Sequence, residues 1–165
     1  MEIKFSEIIA YFEDIAKRHI AIKHSDSEKH FFRLELDEFY TGLRDDVNYP
    51  ALVLEGYDYD FTDPKSDNVL KNRNGAFMLI DHCSEDDDFD RMHEIWDALE
   101  EIGDDILIKI LADKRDRTVT TVRDFDLNNV EATLIANDVD QNYGIRFSFR
   151  ISTHKSNDVN LAKWV

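Results

Sequence analysis

A chain of 165 residues fits one domain, since domains commonly run about 100–150 residues, and at this size roughly 70% of the unfolded surface can be buried without disulfide or metal staples. With 36 acidic against 20 basic residues the net charge is −16, which argues against direct binding to a nucleic-acid backbone, where clustered lysine and arginine are needed. Cys83 is the single cysteine, so an internal disulfide is excluded and a reducing compartment is expected; no apolar run approaches the ~20 residues of a membrane span, and the first residues lack the layout of a signal peptide.

Residues 6–22 read as the first helix. Ser6 is a suitable N-cap and Glu7 complements the dipole, while Ile8, Ile9, Phe12, Ile15, Ala16 and His19/Ile20 recur at helical spacing against Glu13, Asp14, Lys17 and Arg18. Phe31 and Phe32 open a stretch that reads as a strand running into a short helix over residues 37–44, where Leu36, Phe39, Tyr40 and Leu43 keep helical spacing. Residues 49–61 read as one strand. Its apolar run from Ala51 to Leu54 implies burial on both faces; Tyr57, Tyr59 and Phe61 then alternate against Asp58 and Asp60, and Pro50 stands at the start, where its missing N–H does least harm. Residues 62–74 read as a long polar loop carrying Lys65, Lys71 and Arg73, of a length at which loops are often functional. A strand over residues 75–81 pairs with the preceding one across it.

Ser84, Glu85, Asp86, Asp87 and Asp88 suit the start of a long helix. Its stripe is Phe89, Met92, Ile95, Trp96, Leu99, Ile102, Ile106, Leu107, Ile110 and Leu111, with Lys109, Lys114 and Arg115 towards the negative end of the dipole. Gly103 marks a kink or a close contact. Residues 130–136 and 143–152 form a hairpin with Tyr143, Ile145, Phe147, Phe149 and Ile151 facing in and Arg146, Ser148 and Arg150 facing out. The polar tail 156–165 ends in Trp164 and Val165 and is expected to dock on its own body or on a neighbour. The order predicts a single α+β domain over residues 1–165: an antiparallel or mixed β-sheet with one long and one N-terminal amphipathic helix on one face, and residues 62–74 and 156–165 as extended arms.

No catalytic, cofactor-binding or metal site is read from the motifs, and the chain is expected not to be an enzyme. Asp81, His82 and Cys83 are adjacent, but strand neighbours point to opposite faces and no second cysteine exists for a thiolate zinc site; a buried or half-buried thiol is the reading. His93-Glu94 lacks the second histidine of the zinc-protease spacing, Asp97 standing in its place. Asp58, Asp60 and Asp63, with the acids 85–88, lack the glycine and distal glutamate of a calcium loop and are explained by a solvated strand face and a helix start. The glycines are scattered and make no phosphate loop. Arg146 and Arg150, exposed on one strand face of an acidic body, suit either self-association or cross-strand pairing with Glu131 or a similar acid.

The layout of an N-terminal helix, the strand from Tyr49 to Glu55, a hairpin, one long amphipathic helix and a closing hairpin resembles the tail-terminator and head–tail joining (neck) proteins of tailed bacteriophages, to which the cap proteins of contractile injection systems are related. Phe31-Phe-Arg-Leu-Glu-Leu, Asn68-Val-Leu-Lys-Asn-Arg-Asn-Gly-Ala-Phe and Arg91-Met-His-Glu-Ile-Trp-Asp are similar to phage or prophage structural proteins of the Bacteroidetes type. The resemblance implies a structural virion protein that forms a ring homo-oligomer, hexameric in the family, which ends the tail tube and joins it to the neck connector. It implies assembly in the host cytoplasm, residence in the virion tail, and DNA passing through without specific binding or a cofactor. Lys65, Lys71, Arg73, Arg146, Arg150 and Trp164 are then the candidate assembly contacts, and Asp58 and Asp60 the candidate acidic channel face.

The acidity is compatible with a channel wall that repels phosphate, with mimicry of nucleic acid towards a basic partner, and with plain solubility. The rival to the ring is an acidic inhibitor or immunity-type protein binding a basic partner in a salt-sensitive way. A small hydrolase built on Asp81, His82 and Cys83 would require those side chains to converge.

Overall fold

The computed structural model describes residues 3–33, 47–65, 69–83, 89–116, 118–137, 141–156 and 159–164. Within them lie helices α1 (Phe5–Arg18) and α2 (Phe89–Arg115) and strands β1 (Phe31–Phe32), β2 (Ala51–Leu54), β3 (Asp58–Thr62), β4 (Val69–His82), β5 (Glu131–Asn137) and β6 (Asn142–Lys155). The architecture is α+β. The six strands make one sheet in the order β1-β2-β4-β6-β5, with β3 also paired to β4. All pairs are antiparallel except β1 with β2, so the sheet is mixed.

β4 and β6 form the spine. They pair over 14 positions each, from Val69 opposite Lys155 to His82 opposite Asn142. Odd-numbered residues of both face the two helices. Phe77, Leu79, Ile145, Phe147, Phe149 and Ile151 meet Ile8, Phe12 and Ile15 of α1 and Ile95, Leu99, Ile102, Ile106 and Ile110 of α2 in the main core. Aromatic rings tie this layer together: Phe77 stacks on Phe147 at 4.9 Å and Phe12 on Phe149 at 5.6 Å. A smaller cluster of Phe32, Ala51, Val53, Met78 and Ile80 lies on the opposite face, so β2 is buried on both sides, as its apolar run predicts.

Several boundaries differ from the sequence reading. The Lys4 N–H donates to the Glu7 carboxylate at 2.6 Å, so the first helix opens at Lys4 rather than Ser6. It ends at Arg18; Ile22 reaches the core from the following turn, and Ile20 points into solvent. The stretch 49–61 is two strands, with Glu55, Gly56 and Tyr57 standing opposite only Ala76 and Gly75 of β4. That extra residue is a bulge, and it reverses the alternation. Leu52 and Leu54 face the helices before it; Tyr57, Tyr59 and Phe61 do so after it, which sends Asp58 and Asp60 to the other face. The long loop 62–74 is also overturned. Residues 69–74 belong to β4, because Asn72 and Arg73 find partners inside the sheet. Asn72 Nδ2 donates to Asp60 at 2.7 Å and to Thr62 at 2.8 Å. The expected short helix 37–44 and the acids 85–88 lie outside the described residues.

Gly103 is a close contact rather than a kink: a Cβ built there would stand 2.1 Å from Phe147 Cζ. An exposed helical glycine replaced by alanine would gain about 1 kcal/mol. Gly103→Ala is instead expected to lose about 1–3 kcal/mol through overpacking, measured by urea unfolding. In a Phe147→Leu background the same change should cost far less; equal costs in both backgrounds would refute the contact.

Candidate functional site

The face of the sheet turned away from α1 and α2 carries the even positions of β3, β4 and β6, the odd positions of β5, and Glu55. Its apolar half is the small cluster around Met78 and Ile80. Its other half is polar and concave, a cleft of about 650 Å³ lined by Glu55, Asn74, Glu131, Arg146, Ser148 and Arg150, among others.

Two arginines organise the cleft. Arg146 donates through Nε and Nη2 to the two carboxylate oxygens of Glu55, each at 2.8 Å. This fork-to-fork pair is the stronger geometry for a guanidinium, and the Glu55 carboxylate holds the Arg146 guanidinium above its ordinary range. Arg150 donates to Asn74 Oδ1 at 3.0 Å and to Asp60 at 3.3 Å. Hydrogen bonds from Asn72 and Asn74, with the charge of Arg150, hold the exposed Asp60 carboxyl below its ordinary range. Ser152 completes the ladder, its hydroxyl 2.8 Å from Asn72 Oδ1. The arginines therefore pair across strands, but with Glu55 and Asp60 rather than Glu131. Asp58 and Glu131 flank the cleft as exposed carboxylates without a side-chain partner among the described residues.

The sequence-derived candidates separate into groups. Asp58, Asp60, Arg146 and Arg150 come together here. Lys71 lies on the helix-side face of the sheet, its ammonium 4.0 Å from the centre of the Tyr59 ring. Lys65 is exposed in the β3–β4 turn, its N–H donating to Asp63 at 2.8 Å. Arg73 is 1% exposed, which removes it as a contact in an assembly. Its Nη1 donates to Thr153 and its Nη2 to the Ile3 carbonyl, each at 2.8 Å, tying the start of the chain to the sheet, while Nε has no hydrogen-bond partner. Trp164 is 73% exposed and does not dock on the body of its own chain. Glu55 is the residue that sequence reasoning missed; the signal was a lone acid closing an apolar run just before Gly56, where a bulge fits.

Chemically the cleft is a set of satisfied ion pairs. Among the described residues no group of three or more His, Cys, Asp and Glu side chains is placed to hold a metal. Asp81, His82 and Cys83 do not converge: His82 is exposed and stacks on Tyr49 at 5.8 Å, whereas Cys83 is buried. No family model and no curated protein matches the chain.

Asp81 supplies a pH test. Burial raises its carboxyl above the ordinary value of 3.8, partly countered by the N–H of His82. A raised carboxylate means the folded state binds this proton more tightly than the unfolded chain, so the contribution of Asp81 to stability is greatest in acid and is lost as pH rises through the folded value. Asp81→Asn should be more stable than the parent at neutral pH, with the gain closing below 3.8, as read by urea midpoints at several pH values.

Proposed function

We propose that this chain is a structural subunit that assembles into a ring, sixfold as the family resemblance implies, ending a tail tube and joining it to the neck. The observation that carries this reading is the C-terminal arm. Beyond β6 the chain makes a short 3-10 turn over Leu161–Lys163, capped by the Asn160 side chain accepting from the Ala162 N–H at 3.1 Å. Around it Val159, Leu161 and Trp164 stand in solvent. Each buried aliphatic or aromatic side chain of this size is worth about 1.5–3 kcal/mol, so an ordered turn that displays three of them is a surface built to be covered by another subunit. The open sheet face is compatible with the same role. It mixes four carboxylates (Glu55, Asp58, Asp60, Glu131) with two guanidiniums among the described residues, a surface that would weakly repel phosphate while offering directional partners to a protein.

Light scattering tests the proposal. The full chain alone should show a molar mass that is a multiple of 19.4 kDa and rises with concentration, or should join added tail-tube protein in a larger complex, and removal of residues 156–165 should leave a folded monomer. A strict monomer that ignores tube and neck proteins would sink the ring; tight, salt-sensitive capture of a basic protein by that monomer would support the inhibitor instead.

A further inference from the structure

Resting on that ring reading, we infer that the C-terminal arm of one copy seats Leu161 and Trp164 in a groove between α1 and α2 of the next copy, with Lys163 beside Asp105. The groove has a volume of about 470 Å³, within the range that takes small ligands or a pair of large side chains. Ile15, His19, Ile20, Ile106, Ile108 and Ala112 line it. Ile20 is 82% and Ile108 66% exposed, so the helix pair leaves isoleucines in water on its outer side, away from the sheet. This apolar surface needs a cover, and the arm is an apolar segment that needs a bed.

The arm of the same chain does not occupy the groove. Thr153 and Ile3 are bridged by Arg73, so the arm leaves β6 beside the start of α1. The groove lies at the other end of that 14-residue helix, about 20 Å away at 1.5 Å per residue. Within its own chain the arm leaves the groove unfilled, with Leu161 and Trp164 exposed. A contact between two different surfaces, arm on one copy and groove on the next, is heterologous. Made in one direction and repeated by a closing rotation it generates a ring, as the ring reading requires, whereas reciprocal exchange of arms between two copies would stop at a twofold dimer and give no cross-linked ladder beyond the dimer.

Charge favours the same pairing. Copies that each carry −16 repel one another, and an interface needs local relief. Lys163 stands between the two apolar anchors of the arm, exposed and without an ion-pair partner among the described residues. Asp105 stands on the groove rim, its carboxylate meeting His19 alone among the described residues, at 3.5 Å. The other rim charges are neutralised within the chain, Arg18 by Asp14 and Lys109 by Asp113. The groove therefore presents one underused acid, and the arm one free base.

The test is a cysteine pair, Trp164→Cys with Ile108→Cys, in the full chain under mild oxidation; the native Cys83 is buried and does not compete. A ladder of disulfide-linked multimers on non-reducing gels is expected, and a mixture of the two single variants should give only cross-linked dimers. A purely intramolecular bridge would overturn the inference, the arm then serving its own chain. Oligomers by light scattering that fail to cross-link would overturn the arm–groove contact and leave the ring standing, whereas a monomer at every concentration would remove both. Because all four positions are exposed, charge variants remain readable: Lys163→Glu should weaken assembly roughly two- to fivefold, and pairing it with Asp105→Lys should restore it.

Discussion

The antiparallel register between β4 and β6 is the constraint on which the rest of the molecule depends. Fourteen opposed positions on each strand fix which residues face the helices and which face away. A slip of β6 by one residue would exchange Ile145 and Phe147 for Gly144 and Arg146 on the helix side, putting a guanidinium under α2. The contact of Phe147 with Gly103 locks the same register from above. The ring occupies the space where any side chain on that helical turn would stand, so α2 settles on β6 at one height. Local sequence and tertiary packing therefore select the same alignment, the consistency expected of a uniquely folding chain.

The bulge at Glu55, Gly56 and Tyr57 extends this logic to the functional face. Without the extra residue, strict alternation from Leu52 and Leu54 would carry Asp58 and Asp60 to the helix side and turn the aromatics away from it. With it, Tyr57 lies against Phe5 at 5.1 Å, and Glu55 comes within bidentate reach of Arg146. One backbone irregularity thus both packs an aromatic ring against the start of α1 and assembles the ion-pair ladder of the open face. Bulges commonly re-aim side chains in this way, and here the re-aimed residues include Asp58 and Asp60, the acids that the family resemblance would place on a channel face.

Much of the architecture was legible because it rests on periodicity. The stripe of α2 from Ile95 to Ile110 and the alternation from Tyr143 to Ile151 report burial directly, and the structure buries those residues. The pairing of β5 with β6 followed from the same logic. Segments whose polar residues are satisfied inside the sheet were not legible. Asn72, Arg73 and Asn74 look like loop chemistry in one dimension and become strand residues only because Asp60, Thr62, Thr153 and Arg150 arrive from other strands. The fate of Arg73 shows the limit most sharply: nothing in its neighbours along the chain distinguishes a buried tether of the N-terminal segment from an exposed contact. The partners of Arg146 and Arg150 were foreseeable as cross-strand acids, but choosing Glu55 over Glu131 required knowing the bulge.

Charge must then be read by face rather than by total. Asp60 is balanced by Arg150 and Glu55 by Arg146, so among the described residues the repulsion of the open face comes from Asp58 and Glu131, which have no ion-pair partner there. Screening confines their reach to about 8 Å at physiological salt; two such carboxylates discourage a phosphate backbone at contact distance and do little beyond it. The larger share of the acidity lies elsewhere and would act between copies in the proposed ring. A subunit of this charge resists random association and yields only where apolar area and an opposite charge meet together. An arm bearing Lys163 between Leu161 and Trp164, offered to a groove rimmed by Asp105, meets that condition, and in such an assembly the acidity serves to make one contact geometry preferable to all others.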